Sequence, residues 1–160
     1  MPQYLAFFFQ NILIRVRRCS VGRRPAVYSG VVADFGLATA LPKTCDERRL
    51  PQVGSPYWMS PECLRGLYYD GKADVFSFGI VLCELIALID ADPDLLPRTE
   101  NFGVDYIAFT DLVGEMCPTE FLQTAFSCVQ VAHFSLVLNN FTSVSMTRGQ
   151  GLLELLLLFL

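Results

Sequence analysis

A mainly α-helical fold with a short β-hairpin is predicted by three features of the sequence. Lys72 to Ile89 carries Val75, Phe76, Phe78, Ile80, Val81, Leu82, Leu85, Ile86 and Leu88, which leave almost no polar face. A helix apolar all round is one buried at the centre of a domain. Tyr106–Glu115 and Thr119–Ser127 alternate apolar and polar residues at helical spacing. Ile12–Val16 and Gly30–Ala33 are short runs rich in β-branched residues, suited to pairing as a hairpin.

Taken in order, the first strand is followed by Arg17–Pro25, which reads as a wide hairpin connection. Five arginines fall between Arg15 and Arg24. An anionic partner is one reading of them, and a solvated hairpin is the favoured one. From Asp34 to Tyr57 turn formers and charges dominate, as expected of a mobile loop. Pro61–Arg65 predicts a short helix with Pro in its first turn and Ser60 as N-cap. Asp74 and Glu84 are the acidic exceptions on the long apolar helix. Pro93 and Pro97 stiffen the stretch from Asp90 to Phe102, which should be an ordered loop packed on that helix. Val129–Thr147 mixes β-branched residues with Asn139-Asn140 and reads as strand or disorder.

Composition narrows the classes. At 160 residues the chain has the length of one domain. Hydrophobic residues make up 52% and charged residues 18%, and much of the apolar surplus sits at the two ends. Leu5–Phe9 is too short for the apolar core of a secretory signal and has no Lys or Arg before it. Leu152–Leu160 is too short to span a bilayer, which needs about 20 apolar residues. No transmembrane segment is expected. A net charge of −4 argues against nucleic-acid binding. Six cysteines without a C-x-x-C pair, and a single histidine, His133, argue against zinc. Free thiols and a cytoplasmic location are the expectation.

Two segments carry the chemistry. Val32-Ala33-Asp34-Phe35-Gly36 ends a strand in a carboxylate followed by a glycine, and Gly54-Ser55-Pro56-Tyr57-Trp58-Met59-Ser60-Pro61-Glu62 is a stiff, Pro-bounded stretch. Lys72-Ala73-Asp74-Val75-Phe76-Ser77-Phe78-Gly79 follows. A carboxylate at a turn is a hard oxygen ligand suited to Mg²⁺, and Gly36 would give that turn backbone angles closed to other residues. In this order the three segments resemble the metal-binding DFG segment, the end of the activation segment and helix F of protein kinases. Ala91-Asp92-Pro93-Asp94-Leu95-Leu96-Pro97-Arg98-Thr99-Glu100-Asn101-Phe102-Gly103 is similar to a segment of the testis-specific dual-specificity kinases and the LIM kinases. Ser55, and a short linker from Ala38 to Gln52, favour the testis-specific branch.

The resemblance implies a truncated protein-kinase-like C-terminal lobe over residues 11–128, flanked by an unrelated N-terminal extension (1–10) and a divergent apolar tail (129–160). It implies ATP and Mg²⁺ as cofactors of the intact family, with Asp34 and Asn11 as metal and cofactor ligands. Phe35, Gly36, Ser55 and Glu62 would belong to the activation segment, with Ser55 a candidate phosphorylation site. Asp74 would have a structural role, bonding catalytic-loop backbone. Protein substrates of the actin-depolymerising type are implied as partners.

Departures from the family pattern set the expectation for activity. Ala6 stands where the catalytic base is expected, five residues before Asn11, and alanine accepts no proton. No Gly-rich loop, ATP-contacting Lys or helix-C Glu is found, so productive ATP binding by this chain is not expected. No Arg-Pro follows Cys128 to pair with Glu62, and an unpaired buried charge costs about 3–5 kcal/mol. Asn11 and Asp34 lie 23 residues apart, several more than the family pattern leads one to expect. Three readings follow: a kinase segment inactive alone, a non-catalytic docking or regulatory fragment, or a truncated splice or gene-model product.

Overall fold

The computed structural model describes residues 11–17, 27–40, 50–114 and 117–130. Two strands, β1 (Ile12–Arg17) and β2 (Val27–Val32), pair antiparallel, with Ile12 opposite Val32 and Arg17 opposite Val27. The second strand starts three residues earlier than its β-branched run suggests. Backbone pairing with β1 extends it back across Ser29, which breaks the β-branched run, to the strand formers Tyr28 and Val27. The connection from 18 to 26 and both ends of the chain lie outside the described residues.

Four helices follow: α1 (Pro61–Leu64), α2 (Lys72–Ala87), α3 (Tyr106–Val113) and α4 (Thr119–Cys128). The apolar run anticipated as a central helix is α2, buried without interruption from Phe76 to Glu84. Its first turn is fastened by Asp70, whose Oδ1 accepts from the Lys72 N–H at 2.9 Å and whose carbonyl accepts from Ala73. It ends two residues before the expected Ile89. Leu88 turns left-handed at φ 54°, and the N–H groups of Leu88 and Ile89 both return to the Glu84 carbonyl. α3 is opened by Asp105, whose carboxylate accepts from Ile107 and Ala108, each at 3.1 Å, and it is closed by Gly114 at φ 63°.

The core gathers Phe76, Phe78, Ile80, Leu82 and Cys83 of α2 with Phe109 of α3, Ala125 and Cys128 of α4, and Val129. Ala91, Leu96 and Val104 join it from the stretch between α2 and α3. That stretch is therefore an ordered loop packed on the helix. Inside it Asp92 accepts from Asp94, Leu95 and Leu96, and Thr99 is bonded to Gly103 and Phe102. α2 and α4 approach closely at Gly79, where an added Cβ would lie 2.6 Å from Val129 Cγ1 and 2.8 Å from Cys128 Cβ. None of the described core residues comes from the hairpin.

Candidate functional site

At the open end of the hairpin, the Asn11 carbonyl accepts from the Ala33 N–H at 2.7 Å. This bond continues the ladder one step beyond Ile12 and Val32 and brings Asn11 alongside the residue that precedes Asp34. The 23-residue separation in sequence is thus closed by strand pairing. The two residues named as metal ligands share one end of one β-ribbon.

Asp34 is exposed and sits in the left-handed region at φ 59°. Asp tolerates this conformation better than most residues because its short side chain bonds local backbone. Here Oδ1 accepts from the Gly36 N–H at 2.9 Å. The left-handed angle expected of Gly36 falls on Asp34 instead. Gly36 matters for its lack of bulk, since an added Cβ would stand 3.0 Å from Asp34 Oδ1. Phe35 is exposed, and its carbonyl accepts from Ala38 to close the turn.

The second motif forms a one-turn 3₁₀ helix, Pro56–Trp58, which runs into α1. Ser55 is half-buried just ahead of Pro56, and its side chain makes no capping bond. Ser60 occupies the N-cap position of α1 as expected, yet its hydroxyl does not cap the helix. It lies fully buried without a hydrogen-bond partner among the described residues, while its carbonyl accepts from Leu64. Glu62 Oε2 is likewise buried and without a partner among the described residues. Gln52 reaches across to the far end of α1 and donates to the carbonyls of Cys63 and Leu64, and the Tyr69 hydroxyl donates to the Pro51 carbonyl at 2.7 Å. Asp74 is half-buried in the first turn of α2. Ala6 lies outside the described residues, as does the backbone that Asp74 is expected to bond.

What joins this segment to the core is a polar cluster whose acid was noted only as an exception and whose arginine was noted only as part of a motif. Glu84 is 6% exposed on α2. Its Oε2 accepts from the Trp58 indole N–H at 2.9 Å and its Oε1 from the Ala91 backbone N–H at 2.9 Å. Burial pushes its carboxyl above the ordinary range, and those two donors pull it partly back. Arg98 Nη2 donates to the Tyr57 carbonyl at 2.6 Å and, more weakly, to Ala91 at 3.5 Å; Nη1 reaches the Phe102 carbonyl at 3.4 Å. The guanidinium also sits 5.4 Å from the Phe102 ring centroid. Burial lowers its pKa to about 10, opposed by neighbouring Cys83 and Glu84, and it stays charged at neutral pH. Ser77 Oγ lies 2.7 Å from the Trp58 carbonyl, so consecutive residues Tyr57 and Trp58 are held from both α2 and the following loop. The signal was present in sequence as two charges, Glu84 and Arg98, in otherwise apolar or Pro-stiffened surroundings, since buried charges need partners.

The thiols of Cys83 and Cys128 are pushed up to about 12 by burial and remain neutral. No cluster of His, Cys, Asp or Glu suited to hold a metal occurs among the described residues, so Asp34 offers a single carboxylate rather than a closed cage. This suits Mg²⁺, which takes one or two protein carboxylates and fills its remaining positions with water and phosphate oxygens. No described helix is long and apolar enough to cross a membrane.

Comparison with known proteins agrees with the motifs. The family described as protein tyrosine and serine/threonine kinase matches residues 11–133. Mouse dual specificity testis-specific protein kinase 2 is 58% identical over 113 residues, covering 70% of this chain and 20% of the relative. Human dual specificity testis-specific protein kinase 1 is 56% identical over 115 residues, covering 70% and 18%. LIM domain kinase 1 of Drosophila melanogaster is 48% identical over 81 residues, covering 51% and 6%. The chain thus spans about a fifth or less of the length of these relatives. With the motifs in family order and the match running through most of its length, the chain belongs to the protein kinase family, in the group of the testis-specific dual-specificity and LIM kinases.

Proposed function

We propose that residues 11–133 serve a dual-specificity Ser/Thr/Tyr kinase as part of its metal-binding and acceptor-binding floor, and that this chain transfers no phosphate alone. The observation that carries the reading is the Asn11–Ala33 hydrogen bond, which sets Asn11 beside the Asp34 turn. Asp34 and Asn11 would hold Mg²⁺ with ATP; one carboxylate oxygen of Asp34 is fixed by Gly36 and the other takes no part in that bond. Bound there, the ion would neutralise charge on the phosphates, which is most of what phosphoryl transfer asks of its site. The Pro-bounded segment from Gly54 to Ser60 would present the acceptor hydroxyl. It is held by Ser77 of α2 and Arg98 of the following loop on the Trp58 and Tyr57 carbonyls, and by Glu84 of α2 on the Trp58 indole. Actin-depolymerising proteins in the cytoplasm are the substrate class, and Ser55 is the site at which phosphorylation would regulate the segment.

Catalysis by the chain itself fails on chemistry: Ala6 offers no base to align the acceptor hydroxyl. The test has two arms. The purified chain is incubated with labelled ATP, Mg²⁺ and an actin-depolymerising protein, and no transfer above a blank is expected. A chimera carrying residues 11–133 in place of the matching segment of mouse dual specificity testis-specific protein kinase 2, with that enzyme's own catalytic loop retained, should phosphorylate the same protein. Asp34→Ala should abolish that transfer. Transfer by the chain alone, or a chimera indifferent to Asp34→Ala, overturns the reading.

A further inference from the structure

The described residues offer several unassigned features: the exposed apolar side chains of α3, the buried thiols, the orphaned Ser60 hydroxyl and the Glu84–Arg98 cluster. Only the cluster connects separate elements through defined bonds, and it touches the acceptor segment. Arg98 lies 41 positions after Tyr57, yet it donates to the Tyr57 carbonyl at 2.6 Å. The same guanidinium reaches Ala91, whose N–H donates to Glu84 Oε1, while Glu84 Oε2 accepts from Trp58. A closed circuit therefore runs from Tyr57 through Arg98, Ala91 and Glu84 back to Trp58. The positive charge cannot move without stranding the Tyr57 carbonyl, and the loop from Ala91 to Val104 cannot shift without moving Arg98.

We propose that Arg98 is a positioning residue for the acceptor segment: the loop between α2 and α3, acting through the Arg98 guanidinium, sets where Tyr57 and Trp58 stand and thereby sets affinity for the protein acceptor. The acceptor role rests on the kinase reading above, whereas the hold on the turn does not. Planar forked donors suit this position, since one group serves carbonyls of Tyr57, Ala91 and Phe102 at once. A lysine ammonium could keep the charge but not the fork. The circuit spends both Glu84 oxygens on N–H groups, so Glu84 shares the cluster with Arg98 without neutralising it by a direct fork.

Trp58 is the only tryptophan in the chain, so its fluorescence reads the turn directly. In the 160-residue chain, Arg98→Ala should red-shift Trp58 emission and raise acrylamide quenching about twofold, with helical circular dichroism retained; Arg98→Lys should fall between the two. In the chimera, Arg98→Ala should raise KM for the actin-depolymerising acceptor about tenfold and move KM for ATP less than about twofold, the split expected of lost acceptor binding. Should the alanine variant lose its helical signal, Arg98→Lys carries the comparison. Unchanged Trp58 emission and quenching in a helical variant overturn the hold on the turn. A fall in kcat with acceptor KM unmoved overturns the acceptor role. If the unsubstituted chimera transfers no phosphate, the kinase reading and the acceptor role fall together, while the Trp58 result still decides whether Arg98 holds the turn.

Discussion

At the scale of single residues, Gly79 within α2 and Leu88 at its C-cap respond in opposite senses to substitutions that generic helix propensity would misjudge. Glycine inside a helix usually costs about 1 kcal/mol relative to alanine, so Gly79→Ala would gain stability on propensity alone. The new methyl would stand 2.6 Å from Val129 Cγ1 and 2.8 Å from Cys128 Cβ, contacts real structures do not tolerate. Overpacking of this kind costs about 1–3 kcal/mol. Gly79→Ala should therefore lower the urea midpoint of the kinase chimera, and a raised midpoint would show that α4 yields. Leu88 presents the reverse case. It is 80% exposed at φ 54°, so Leu88→Gly removes left-handed strain and sacrifices no burial. A gain of up to about 1 kcal/mol is expected in the same titration.

Glu84 adds a pH dependence whose sign follows from burial. Its folded carboxyl is raised from an ordinary value of 4.5, chiefly by desolvation. Between that value and the raised one the folded state binds more protons than the unfolded state, so stability falls as pH rises through the window. Above the window the penalty is fully developed. Glu84→Gln removes this titration, and the slope of urea midpoint against pH from 4.5 upward should flatten. An unchanged slope would assign it to other groups.

At the scale of elements, legibility followed the kind of force that forms each one. α2 was readable because burial on all sides leaves an apolar run with no competing explanation. α3 and α4 were readable from helical spacing, and the Pro-stiffened loop from its prolines and the rigidity they impose. The start of β2 was not, because Ser29 interrupts the apolar run and only the pairing with β1 carries the strand back to Tyr28 and Val27. Caps were misjudged for a related reason. Ser60 has the right side chain at the right position and makes no cap bond, while Asp70 and Asp105 do the capping unannounced. Of the site, Asp34 and Asn11 were paired as ligands by the resemblance, and the ladder register sets Asn11 beside the residue before Asp34. The polar cluster could not be assembled from sequence, because Trp58, Glu84 and Arg98 meet only when three elements pack. Asp105 supplies an element-scale test. Asp105→Ala leaves two N–H groups of α3 without their acceptor and should cost about 1 kcal/mol. No change in urea midpoint would mean that water replaces the carboxylate at no cost.

At the scale of the whole molecule, the described residues fall into two parts held by different means. The helices and the loop from Ala91 to Val104 share one apolar core, whereas the hairpin gives it none of its described residues. Leu13, Ile14, Val16, Phe35 and Leu37 of the hairpin and the turn after it are exposed. An isolated two-stranded ribbon is marginal in water, and Asp34 is carried at the end of one that shares no core residue with the helices among the described residues. The carboxylate proposed for metal is thus mounted outside the described core. The core has its own weakness in the Glu62 oxygen and Ser60 hydroxyl, both buried without partners among the described residues. Whole domains are stable by only about 5–15 kcal/mol, and an unsatisfied buried polar group costs about 1–3 kcal/mol, more when charged. The 160-residue chain should accordingly melt broadly or aggregate. Hydrogen exchange should rank its amides: slowest from Phe76 to Glu84 in α2, and fast throughout Ile12–Arg17 and Val27–Val32. Hairpin amides protected as long as those of α2, together with a sharp cooperative melt of soluble monomer, would show that the ribbon is packed on the helices and that the Asp34 turn is firmly held.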